Sequence, residues 1–206
     1  MSNSSLLNIA VFDLNQTVYN KSSKEEFFKF IIHKEKPKAF HLLSMGVYSL
    51  GKKMGLLNKT TFKENFFHYL DNIPPQKLKA YAYEYWAGEW PLHFNPELLS
   101  RIEELRSRNV AICFATGALD CYAQPLFEHF LQPDYWLATR TQYVQGRYKI
   151  EGRACKDWEK IRRINQLIHP TPYQIVEAYS DENEAILQLA QKGFLSKDGK
   201  IVPRHP

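Results

Sequence analysis

The chain has 206 residues, which suits one domain or one domain with a sizeable insertion. Its 44% hydrophobic and 14% aromatic content supplies a core, and no stretch is disordered, low-complexity or repeated. A net charge of +5 favours an anionic partner, but no zinc-finger spacing or RNA-binding signature accompanies it, so nucleic acid is not expected. Cys113, Cys121 and Cys155 form no CxxC, and their odd count argues against a disulfide framework and for a reducing cytoplasm. The start, MSNSSLLNIAVF, lacks the basic region and cleavage site of a signal peptide. The weakly polar stretch AFHLLSMGVYSLG falls short of the ~20 apolar residues that span a bilayer.

In chain order, Ile9 to Phe12 is a short apolar run of the kind found in buried parallel strands. Residues 21–89 then change character. SKEEFFKFIIHKEK, TTFKENFFHYLDNI (opening on Thr60 or Thr61 as a cap) and PPQKLKAYAYEYWAGEW all carry helical spacing, which predicts an all-helical insertion. The lysines at 21, 24, 29, 34, 36, 38, 52 and 53 crowd this part of the chain; a solvated helical face is the simplest account of them. After Pro96 the alternation resumes. PELLSRIEELRSRN is an amphipathic helix, VAICFAT a strand, LDCYAQPLFEHFL a helix kinked or delayed by Pro125, and DYWLAT a strand. TQYVQGRYKIEG predicts a hairpin turning at Gln145-Gly146, and KDWEKIRRINQLI a basic amphipathic helix. QIVEAYSD is a strand ending in an acid, ENEAILQLAQKG a helix closed by Gly193, and GFLSKDGKIVP two short edge strands around Asp198-Gly199.

Strands alternating with helices predict a parallel sheet covered on both faces, with ligands gathering at the carboxyl ends of its strands. Three runs end there in polar groups: Asp13, Thr116 and Asp181. The stretches VFDLNQT, CFATGA, GRYKIEGRACKDWEKIRRI and AYSDEN follow in the order and spacing of the haloacid dehalogenase superfamily. The chain resembles that family over nearly its whole length, and most of all its subfamily IB, which holds phosphoserine phosphatase relatives and the C-type phosphatidylglycerophosphatase. The resemblance implies a three-layer Rossmann-like α/β core with a parallel sheet, formed by residues 1–20 and 90–206, and an inserted all-helical cap, residues 21–89.

It also implies a site. Asp13 would attack phosphorus and become an aspartyl phosphate. Lys160, five residues after Cys155, would balance charge between Asp13 and the phosphate, with Lys156 as the other candidate. Magnesium would be held by Asp13, Asp181 and the backbone carbonyl of Asn15, all oxygen donors. Thr116 and the Gly117 amide would hold a phosphoryl oxygen, and Thr17 would complete this substrate-binding set by steadying the motif's turn.

Two positions depart from the family pattern. Asn15 stands where the family has its general acid and base, and a carboxamide can neither protonate a leaving group nor activate water. Ala185 stands where relatives carry a second Asp, leaving Glu184 as the best substitute for holding a metal water. The expected function is therefore a magnesium-dependent phosphomonoesterase slowed by Asn15; the alternative is an inactive relative that binds a phosphorylated ligand or protein partner. The substrate would be a small phosphorylated molecule or a phospholipid headgroup. Localisation would be cytoplasmic; FHLLSMGVYSLGKKMGLL could rest on the inner face of the membrane, but packing of its apolar residues within the cap is the preferred account.

Overall fold

The computed structural model describes residues 6–35, 67–197 and 199–204. Its centre is a six-stranded sheet in the order β3-β2-β1-β6-β7-β8. The strands are β1 (Leu7–Phe12), β2 (Ala111–Leu119), β3 (Tyr135–Thr139), β6 (Tyr173–Ser180), β7 (Lys192–Lys197) and β8 (Lys200–Pro203). All neighbours pair in parallel except β7 and β8, an antiparallel edge hairpin. A separate two-stranded ribbon, β4 (Thr141–Val144) and β5 (Arg147–Ile150), turns at Gln145 and Gly146. Both turn residues have positive φ, 49° and 80°, as a tight two-residue hairpin demands.

Helices cover both faces. On one side lie α1 (Ser23–Lys34), α2 (Pro75–Glu89), α3 (Pro96–Ser107) and α4 (Asp120–Leu126). On the other lie α5 (Trp158–Ile168) and the short α6 (Ala185–Leu189). The period-2 pattern of β1 feeds both layers. Ala10 and Phe12 face an aromatic core with Phe114, Tyr122 and Tyr179, while Ile9 and Val11 face an aliphatic one with Ile161, Ile164 and Ile168 of α5. This is the three-layer Rossmann-like architecture that the resemblance implies.

Local chemistry explains most boundaries. Pro75 and Pro96 occupy first turns, where a missing N–H costs nothing. Asn95 caps α3, its Oδ1 accepting from the amides of Glu97 and Leu98 at 3.0 and 3.4 Å. The Pro125 segment begins on time at Asp120 but passes into a π-helical turn over Phe127–Leu131.

One expectation changes. The helix ENEAILQLAQKG is only five residues long, and Gly193 lies inside β7 instead of closing a helix. A Cβ at Gly193 would meet the Leu187 carbonyl at 2.6 Å, so the glycine lets the strand run against α6. The described helices between 21 and 89 contribute to the same core cluster as one face of the sheet. Phe27, Tyr85 and Trp86 pack in one cluster with Phe94 and Tyr122, and the Trp86 indole donates to the Tyr122 carbonyl at 2.7 Å. Half of TTFKENFFHYLDNI, Lys36, Lys38, Lys52, Lys53 and the stretch FHLLSMGVYSLGKKMGLL fall outside the described residues; Phe67–Leu70 forms a single 3-10 turn. Lys21, Lys29 and Lys34 pair with Glu89, Glu26 and Glu84, so these lysines add little unbalanced positive field. Among the described residues no helix is long and apolar enough to cross a membrane.

Candidate active site

The carboxyl ends of β1, β2 and β6 open onto one cleft of about 240 Å³. Asp13 follows β1 directly, and its amide donates to the Tyr179 carbonyl at 2.8 Å, which locks it between β1 and β6. The turn that follows places Gln16 at φ 54° and returns the chain so that the Thr17 hydroxyl donates to the Asn15 carbonyl at 3.3 Å. Thr17 is buried and takes no part in lining the cleft; it holds the loop.

Asn15 does line the cleft, and its side chain has a structural job. Its Oδ1 accepts the Ser23 amide at 2.8 Å, capping the first turn of α1. Because an N–H must meet an oxygen, that contact fixes the amide orientation and turns Nδ2 away from Ser23. Asn15 therefore offers a donor that cannot ionise.

On the other side α5 delivers Lys160. The lysine is 2% exposed, and its Nζ lies 3.1 Å from Asp13 Oδ1 and 2.5 Å from Glu184 Oε2. Burial works against its charge, but the two carboxylates outweigh burial and raise its pKa above the ordinary lysine value. Glu184 thus serves as a counter-ion to Lys160, which sequence reasoning did not foresee; the signal available was an acid next to the position where Ala185 breaks the family pattern. Its Oε1 accepts the Asp157 amide at 3.4 Å, while Asp157 Oδ1 accepts the Ala185 amide at 3.0 Å. This reciprocal pair clamps the start of α5 to the start of α6, and it holds Asp157 at φ 47°, ψ −126°, a conformation costly for any residue but glycine.

β2 supplies the third wall. Its pairing with β3 shifts register between Ala115 and Leu119, a bulge that re-aims residues 116–118. Thr116 is fully buried beneath the cleft, its hydroxyl accepting the Ala118 amide at 3.2 Å. Gly117 and Ala118 form the surface the cleft sees. Lys156 lines the cleft as well, so both candidate lysines come to the site, but only Lys160 touches Asp13.

Asp181 directly follows β6 and lines the same cleft. Burial first, and the charge of Asp13 second, push its carboxyl up to about 6. Asp13 and Asp181 line one cleft, and carboxylate oxygens are the donors that suit a small hard dication. Among the described residues no cluster of three or more His, Cys, Asp or Glu surrounds such a place, so water would complete its shell. The three cysteines are free, and burial raises Cys155 to about 11 and Cys113 and Cys121 to about 12, which makes them inert.

Solved structures share this fold. A protein of unknown function from Bordetella pertussis Tohama I superposes with a TM-score of 0.74 at 18% identity, over 92% of this chain and 89% of that one. A phosphoserine phosphohydrolase-like protein from Francisella tularensis gives 0.58 at 17% identity, over 91% and 86%. A phosphoserine phosphatase captured as a phospho-aspartyl intermediate analogue gives 0.56 at 17% identity, over 92% and 86%. No curated protein matches the sequence. Residues 10–183, from β1 through Asp181, match the model of the haloacid dehalogenase-like hydrolases, and the chain belongs to that family.

Proposed function

We propose that the protein is a magnesium-dependent phosphomonoesterase that works through an aspartyl phosphate on Asp13. The observation that carries this reading is the buried Lys160 ammonium bonded to Asp13 at the end of β1. Lys160 occupies Oδ1, which leaves Oδ2 to attack phosphorus. The new Oδ2–P bond forms as the ester P–O bond breaks, and the leaving oxygen takes its proton from solvent, because Asn15 has none to give. Water then attacks phosphorus, the Oδ2–P bond breaks, and inorganic phosphate leaves with the carboxylate restored. Asp13, Asp181 and the Asn15 carbonyl would hold the magnesium ion, which supplies positive charge against the phosphoryl oxygens. Lys160, itself held by Glu184, keeps the nucleophile aimed. The small cleft favours a small phosphorylated molecule as substrate.

A second reading is a phosphate-binding relative without turnover, favoured by the engagement of Asn15 Oδ1 in capping α1. Steady-state assay of an aryl phosphate with magnesium separates the two. The enzyme reading expects slow turnover that the Asp13→Asn variant loses; no turnover by the wild-type protein favours the binding reading.

A further inference from the structure

The proposed reaction leaves Lys156 of the cleft without a task. Lys156 follows the buried Cys155 and precedes α5, and its side chain lies along Gly117. A Cβ on that glycine would stand 2.8 Å from Lys156 Cε, 3.2 Å from Cγ and 3.6 Å from Cδ. The backbone of Gly117 is not left-handed, so its missing side chain provides space, and what fills that space is the lysine. Lys156 is exposed and lines the cleft, and it makes no salt bridge among the described residues. Lys160, by contrast, is buried and shared between two carboxylates.

The ammonium groups of Lys156 and Lys160 therefore sit in opposite settings within one site. Lys160 is committed to Asp13 and Glu184, and it gains little by releasing either of them for a ligand. Lys156 is exposed to solvent, and it lies over the bulge whose residues 117 and 118 line the cleft with Asp13. An ammonium with three donors and no acidic partner is suited to meet the oxygens of a tetrahedral oxyanion at that place.

We infer that the two lysines divide the labour: Lys160 holds the nucleophile, and Lys156 binds a peripheral oxygen of the phosphoryl group next to Gly117. The inference rests on the reading of the cleft as a phosphoryl-transfer site. Lys156 meets the anion in the bound substrate, the transition state and the product alike, so its loss acts on affinity more than on the chemical step.

The test is calorimetric titration of the full-length protein with orthophosphate in the presence of magnesium, beside aryl phosphate kinetics. Lys156→Met is expected to weaken orthophosphate roughly ten- to hundredfold, the range of a lost charge-assisted hydrogen bond. KM should rise by more than kcat falls, thermal unfolding should not move, and Lys156→Arg should restore most of the affinity. Orthophosphate binding in Lys156→Met equal to wild type, with Asp13 still phosphorylated, overturns this inference alone. So does a Lys156→Met variant that loses kcat at unchanged KM. Wild-type protein that neither binds orthophosphate nor phosphorylates Asp13 overturns the reading of the cleft itself, and the inference with it.

Discussion

The two sides of the cleft are built to different standards. On the α5–α6 side, Lys160, Glu184, Asp13 and Asp157 form a chain of charged contacts in which each group has at least one fixed partner. On the α1 side, the motif loop meets the helical segment through Asn15 Oδ1 and the Ser23 amide, a neutral contact that caps a helix. The difference teaches that support of the nucleophile and supply of protons are separable features of one site. On the proposed reading this chain retains the first, and at Asn15 a structural bond stands in place of the second.

The largest effect should come from restoring the weak side. Asn15→Asp keeps an oxygen for the Ser23 amide and turns a second, ionisable one to the cleft. General acid–base catalysis contributes about 10²–10⁴-fold. In the first half-reaction, phosphorylation of Asp13 by an alkyl phosphate should speed up within that range, and by an aryl phosphate less, because a phenolate leaves without a proton. Equal gains for both esters in that step would mean that Asn15 limits something other than protonation of the leaving group.

Much of this contrast was legible in the sequence. The runs ending in Asp13 and Asp181 read as strands because apolar residues in parallel strands are continuous, and the carboxyl ends of such strands converge. Asn15 announced itself by standing in an acid's place. The role of Glu184 did not, because its partner Lys160 is 24 residues away and local periodicity carries no record of which side chains meet across helices. The burial of Thr116 was hidden for a related reason: the bulge that sinks it is a property of β2 pairing with β3. The overlong helix expected at 182–193 failed because pairing of β7 with β6 outweighed helical spacing.

The strong side can be broken at Glu184. Glu184→Ala leaves a buried lysine with Asp13 alone and removes the acceptor for the Asp157 amide. Breaking a buried pair costs about 3–5 kcal/mol, and because one carboxylate remains the loss should fall near about 3 kcal/mol. Urea unfolding measures it. A loss within experimental error would show that the charged chain is an ornament of the cleft and not a support.

The smallest effect lies in the pH dependence of the metal-free protein. The folded carboxyl of Asp181 sits at about 6, above the ordinary aspartate value near ~3.9. The native state therefore binds more protons than the unfolded chain between these values, and its contribution to stability falls as pH rises through that window. Thermal unfolding in EDTA should show this decline, Asp181→Asn should flatten it, and magnesium should stabilise the wild-type protein more at pH 7.5 than at pH 5. A decline that persists in Asp181→Asn would assign it to another group.

The central claim is that Asp13 is a nucleophile held ready by Lys160. Because Asn15 cannot activate water, the second half-reaction is the slow one and the phosphoryl adduct should accumulate. Acid quench during turnover of an aryl phosphate, followed by peptide mass analysis, should find a phosphoryl group on the peptide carrying Asp13, and none in Asp13→Asn. Turnover with no adduct at Asp13, or with the adduct on another residue, would contradict the account.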